Sequence, residues 1–202
     1  MARDREATKK ALIAATGRVI ARDGFARLGI NAIAAEAGFD KVLIYRYFDG
    51  LGGLVSAYAQ QGDFWPGPEE LLGMAIEDFR KKTPADQMAT IMENLASAIR
   101  RRPLTLEILA WEMVERNELT AHLEDMRERQ GRSLAAALQD GADALREPPV
   151  DEDALVAIMT AAILYLAARS RKIRTFNGLG IRQEEGWRRL TRTFRLLCER
   201  SM

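Results

Sequence analysis

"INAIAAEAGFDKVLIYRYFDG" runs from residue 30 to residue 50, and its reading decides the fold. Two short helical segments, residues 30–37 and 41–47, flank Gly38, which permits a tight turn, and Asp40 stands where it caps the second. Ala34 and Ala37 are small enough for two helices to cross closely, and Ile33, Phe39 and Ile44 supply a small core. The run Tyr45, Arg46, Tyr47, Phe48 is then the puzzle. A buried helix cannot hide the arginine, and an exposed one has no need of the rings. A helix-turn-helix accounts for both, because its second helix lies in the major groove with its N-terminal residues at base edges. Lys41 and Arg46 meet bases or phosphates, the hydroxyls of Tyr45 and Tyr47 donate to phosphate oxygens, and Phe48 turns back into the core. Short helices around a glycine also occur in all-α proteins that touch no nucleic acid, so core packing stays open on these residues alone.

The surroundings are helical from end to end. Ala, Leu, Glu, Arg and Met abound, and β-branched runs of period two are missing. A first helix is expected over residues 4–22, with Leu12, Ala15 and Val19 on one face and Ile13 and Ile20 widening it. A fourth starts near Leu51 and stops in "QGDFWPGP", residues 61–68; Gly52 and Gly53 disfavour a rigid start to it. Further helices are expected at 69–81, 84–102, 104–115, 118–140, 151–174 and 184–200, with breaks at Pro103, "EPPVD" (147–151) and "FNGLG" (176–180).

Bulk properties narrow the function. The chain has 202 residues, 48% hydrophobic and 29% charged, as a soluble globular protein does. A membrane span is not expected, since an uncharged apolar run of about 18 residues is missing. The charged N-terminus does not begin a secretory signal, which points to the cytoplasm. One cysteine, Cys198, excludes an intrachain disulfide. Net charge is +1, but residues 1–50 carry nine Lys/Arg against six Asp/Glu. That imbalance permits nucleic-acid binding by the N-terminal part.

"ALIAATGRVIARDGF" (11–25), "INAIAAEAGFDKVLIYRYF" (30–48) and the apolar pair Leu54–Val55 together resemble the N-terminal domain of the TetR family of bacterial repressors, in order and in spacing. The likeness is specific over roughly the first 55 residues; a looser one lies in "RTFNGLGIRQEEGWRRL" (174–190). The resemblance implies an all-α protein: a three-helix helix-turn-helix DNA-binding domain at 1–50, then a helical ligand-binding and dimerisation domain at 51–202. It implies a homodimer that binds double-stranded DNA at a palindromic operator and takes up an unknown small apolar ligand. Asn31, Lys41, Val42, Leu43 and Tyr45 fall where family members contact bases, Tyr47 where they contact phosphate, and Arg46 near DNA. Two positions depart from the pattern. Gly29 stands where Ser or Thr is usual, and Leu51 where Lys is usual. A helical ligand-binding or scaffold protein of the same architecture, without operator binding, is the alternative.

Enzyme chemistry finds little support. The single histidine, His122, has no nucleophile elbow near it, cannot supply a di-iron bundle, and with Cys198 makes too few ligands for zinc. Phosphate-binding glycine loops are missing, so no cofactor and no metal is expected. In the body, Met88, Met92 and Leu95 recur at helical spacing, with Trp111 and Met126 on the following helices and Phe64 and Trp65 in the proline-broken segment. These read either as core or as a pliable apolar pocket. Leu155, Ala162 and Leu166 on one helix, and Trp187, Leu190, Phe194 and Leu197 on the last, read either as intramolecular core or as half of a four-helix dimer interface.

Overall fold

A computed structural model describes residues 2–61, 64–114, 116, 118–139 and 150–201. The chain divides into two compact units, residues 1–64 with 111–129, and residues 65–110 with 130–202.

In the first unit, α1 (Ala2–Asp23) is followed by a single 3-10 turn (Phe25–Arg27), α2 (Ile30–Ala37), α3 (Val42–Phe48) and α4 (Leu51–Gln61). The apolar face of α1 behaves as its spacing predicts: Leu12, Ala15 and Val19 are buried together with Ile33, Ala34, Ile44 and Leu54. α2 closes where Gly38 enters the left-handed region at φ 71°. The Gly38 N–H donates to the Ala35 carbonyl at 3.3 Å and the Phe39 N–H to the Ala34 carbonyl at 3.1 Å, so two free carbonyls at the helix end are satisfied. α3 begins with the Val42 N–H donating to Asp40 Oδ1 at 2.8 Å, the cap expected of Asp40. Phe39 departs from expectation. It is 38% exposed, because the turn after Gly38 carries it outward, so Ile33 and Ile44 hold the crossing without it.

The same unit takes in α8 (Pro103–Glu112) from Trp111 onward and α9 (Glu118–Gln139) as far as Arg129. Trp111 meets Phe25 edge to face at 5.1 Å between ring centroids. Arg127 forms a two-pronged ion pair with Glu112 at 2.7 and 2.9 Å, both side chains mostly buried. His122 lies over Gly52.

In the second unit, α5 (Pro68–Leu72) and α6 (Ile76–Phe79) replace the single helix expected over 69–81, because Gly73 adopts φ 69° between them. α7 (Pro84–Arg100) is capped by Thr83, whose hydroxyl accepts from the Asp86 N–H at 3.2 Å, with Pro84 in its first turn. α10 (Glu152–Ser170) starts at Asp151, whose carboxylate accepts from the Ala154 N–H at 3.0 Å. A two-residue ladder, β1 (Thr175–Phe176) with β2 (Leu179–Gly180), stands between α10 and α11 (Glu184–Ser201). Its turn is Asn177–Gly178, both at positive φ, the dipeptide that favours such a hairpin. The expected helix ends at 115 and 140, and the break at 147–151 except its last two residues, lie outside the described residues.

The second core joins Met88, Met92, Leu95 and Ile99 of α7 to Met159, Ile163 and Leu166 of α10 and Trp187, Phe194 and Cys198 of α11. Arg195 clamps α11 to α7 through Glu93 at 2.8 and 3.0 Å and Asp86 at 3.1 Å. α10 is long and apolar enough to cross a membrane by length and composition, with a mean hydropathy of 1.5 over its best window. Its uncharged stretch, Ala154–Ala168, is shorter than the run of about 18 residues that a span requires, as the sequence reading expected. One of its faces packs in the second core.

The two glycines at the start of α4 differ in kind. A Cβ at Gly53 would stand 1.7 Å from the Phe48 carbonyl oxygen, whereas at Gly52 it would meet only His122, at an ordinary 3.7 Å. Gly53 is therefore a packing requirement, not a loosening element. Gly53→Ala should lower stability by roughly 2 kcal/mol, the backbone clash outweighing the helix-propensity gain of about 1 kcal/mol. Gly52→Ala should be neutral or raise it by up to about 1 kcal/mol. Thermal unfolding of the two variants checks this, and equal effects would contradict the close approach.

Candidate nucleic-acid interface

Ile44 is wholly buried, and the helical period then fixes which way the rest of α3 faces. Val42, Tyr45 and Arg46, related by steps of three and four, stand on the side away from Ile44, with Lys41 at the entrance to the helix. Val42 is 60% exposed and Tyr45 57%, and Lys41 and Arg46 are exposed as well. Asn31 is exposed in the first turn of α2. Leu43 and Tyr47 differ from these: both are half-buried and pack on the head core. The guanidinium of Arg5 lies 5.4 Å from the Tyr47 ring centroid. Phe48 packs on the same core, so the aromatic run divides between an outer and an inner face as its chemistry requires.

Charge on this surface is sorted by one carboxylate. Glu36 of α2 accepts from Arg18 Nε at 2.7 Å and from Arg22 Nη1 at 2.5 Å, both on α1. Arg22 also pairs with Asp23 at 2.8 Å. Hydrogen bonds from Arg18 and then Arg22 hold the Glu36 carboxyl below its ordinary range. Lys41 and Arg46 form no ion pair among the described residues, so their charge faces outward uncompensated. No sequence signal marks the Glu36 clamp, because its partners lie on a different helix.

Gly29 has an extended backbone (φ −159°) and offers α2 no side-chain cap; nothing lies within 4 Å of where a Cβ would stand. Leu51 is half-buried against the head core, so the residue at the start of α4 has a packing role.

The residues expected to line a ligand pocket fall into two groups. Met88, Met92 and Leu95 are in the second core, with Trp65 half-buried against it. Phe64, Trp111 and Met126 belong to the first unit, where Phe64 and Met126 are buried. A cleft of about 450 Å³ beside the hairpin is lined by Arg174, Thr175, Gly180, Arg182 and Gln183, and contains none of them.

Of the residues expected at a dimer interface, Leu166, Trp187 and Phe194 lie inside the second core; Trp187 is 2% exposed and donates Nε1–H to the Ile181 carbonyl at 2.8 Å. Leu155, Ala162 and Leu190 are half-buried against that core, and Leu197 is exposed. A different stripe of α10 faces out: Ala154, Ala157, Ile158, Ala161 and Tyr165, with Ile158 67% exposed. Its spacing of three and four was readable in the sequence, but the buried stripe beside it has the same period.

Residues 12–58 match the family model for bacterial regulatory proteins of the tetR family. The chain is 32% identical over 142 residues to the HTH-type transcriptional repressor SCO4008 of Streptomyces coelicolor, covering 69% of this chain and 67% of that protein. NalD of Pseudomonas aeruginosa, described as the secondary repressor of the MexAB-OprM multidrug efflux pump, has the same fold: TM-score 0.63, 18% identity, 95% of each chain covered. A TetR family transcription regulator from Marinobacter aquaeolei VT8 superposes with a TM-score of 0.54 at 20% identity, over 96% of this chain and 97% of that one. The domain that carries α2 and α3 is thus the DNA-binding head of a transcriptional regulator. The chain belongs to the TetR family.

The Glu36 clamp has a pH signature. A carboxyl whose pKa is lowered on folding contributes stability that is complete above its ordinary value of 4.5 and is lost as pH falls through the lowered one. Glu36→Gln should therefore be less stable than wild type near neutral pH, with the gap closing as pH falls below the ordinary value of 4.5. High salt should also narrow the gap, since the pair is solvent-exposed. A gap that stays constant from neutral pH into the acid range in thermal melts would mean the clamp is not electrostatic.

Proposed function

We propose that this regulator is a homodimeric repressor that binds a palindromic operator through α2 and α3 and leaves it when a small apolar ligand enters the helical body. The observation that carries the reading is the outer face of α3, where Lys41, Val42, Tyr45 and Arg46 project from a helix anchored by one buried isoleucine. The names of two relatives, each a repressor, support the sign of regulation. Lys41 and Arg46 draw the protein to phosphates, and the first turn of α3 presents side chains to base edges. Asn31 adds a contact from the start of α2, and Tyr47 and Leu43 brace the helix from its inner side.

Dimerisation is assigned to the outer stripe of α10, Ala157, Ile158, Ala161 and Tyr165, with Leu197 of α11. Small residues there let two helices approach closely, and an exposed Ile158 has an apolar side chain that a second copy would cover. Two heads related by a two-fold axis then match a palindrome. A ligand releases DNA only if it binds the DNA-free form better, and linkage makes the effect equal in both directions.

Binding-site selection with the purified protein tests the DNA reading. Lys41→Ala and Tyr45→Phe should each weaken binding to the selected operator by about 1–3 kcal/mol while leaving the melting temperature nearly unchanged, since both residues are exposed. Failure to enrich any sequence would contradict the reading. Ile158→Glu combined with Leu197→Glu should give folded monomers in analytical ultracentrifugation. A dimer that survives both changes would place the interface elsewhere.

A further inference from the structure

The middle of the outer face of α3 is apolar. Val42, 60% exposed, stands between Tyr45 at i+3 and Arg46 at i+4. The side chains that read guanine or adenine with two hydrogen bonds are Arg, Lys, Asn and Gln, and cytosine is read by Glu or Asp. In the first turn of α3 none of these occupies the centre. Asp40 is engaged, its Oδ1 accepting from the Val42 N–H at 2.8 Å, and Lys41 sits to one side at the helix entrance. In the major groove one base feature rewards contact with an apolar side chain, the 5-methyl group of thymine. An amino or carbonyl edge held against Val42 would lose its water without gaining a partner.

Building on the DNA-binding reading above, we infer that Val42 makes this protein a thymine-methyl reader: the base facing Val42 in each operator half-site is thymine, recognised by its methyl group. Tyr45, one turn on, covers the rim of the same contact with its ring and leaves its hydroxyl for a phosphate. Arg46, on the other side of Val42, has a free guanidinium for the next base or the backbone.

The test uses the full-length protein and duplexes carrying its selected operator. Each thymine in a half-site is replaced in turn by deoxyuridine, which keeps every hydrogen-bonding group and removes only the methyl. At one symmetric position, replacement should weaken binding about fourfold in one half-site and roughly sixteenfold in both, the value of about one buried methyl each. 5-Methylcytosine, which carries a methyl at the same place, should bind better there than cytosine. Position 42 is exposed and alanine is helix-compatible, so Val42→Ala should fold normally and distinguish the thymine from the deoxyuridine duplex less than wild type does. The inference is overturned if no deoxyuridine position matters, or if Val42→Ala distinguishes the two duplexes as strongly as wild type does. A protein that selects no operator at all would instead remove the DNA-binding reading beneath it.

Discussion

The burial of Ile33 and Ile44 against Leu12, Ala15 and Val19 is the constraint on which the DNA-binding head depends. Each isoleucine is on a helix of eight residues or fewer, too short to be stable alone. The shared core holds both helices and sets their orientation at once. With Ile44 turned inward, the period of 3.6 leaves Val42, Tyr45 and Arg46 no choice but to face solvent. Emptying such a site to alanine costs about 2–5 kcal/mol, a large part of the 5–15 kcal/mol that holds a domain folded. Exposed face and core are therefore two sides of one helix, and the turn at Gly38 and the cap at Asp40 keep them in register.

Ion pairing divides the cations of the head into two kinds, although the whole chain has a net charge of only +1. Arg18 and Arg22 are neutralised by Glu36 and Asp23 and serve to tie α1 to α2. Lys41 and Arg46 are exposed and form no ion pair among the described residues. The whole-chain charge says nothing about this, because attraction to phosphate depends on where cations stand uncompensated. Leu51, packed on the head core, shows the same economy: the start of α4 braces the head and carries no charge.

The head was legible in the sequence because local signals agreed there. Glycine, aspartate and the apolar period of residues 30–48 all specify the same turn and the same buried face, and α2 has the expected bounds. Phe39 misled because its hydrophobicity outweighed the geometry of the residue just past a left-handed glycine. The body was less legible, since α10 is apolar on more than one side. Trp187 and Phe194 form a stripe that fits a core or an interface equally well, and only packing against Met88, Met92 and Ile163 decides for the core. Gly73 breaks a helix that composition alone would continue, and the Asn177–Gly178 hairpin is a two-residue ladder too short to register as strand. The close approach at Gly53 depends on the Phe48 carbonyl, a backbone atom whose position no sequence pattern reveals.

The most direct test of the account is to titrate isotope-labelled protein with its selected operator and follow backbone amide resonances. The largest changes should fall on Asn31, Lys41, Val42, Tyr45 and Arg46, while buried Ile33 and Ile44 and the second core around Met92 and Trp187 shift little. Large changes confined to the basic cleft at Arg174 and Arg182, with α3 unmoved, would contradict it.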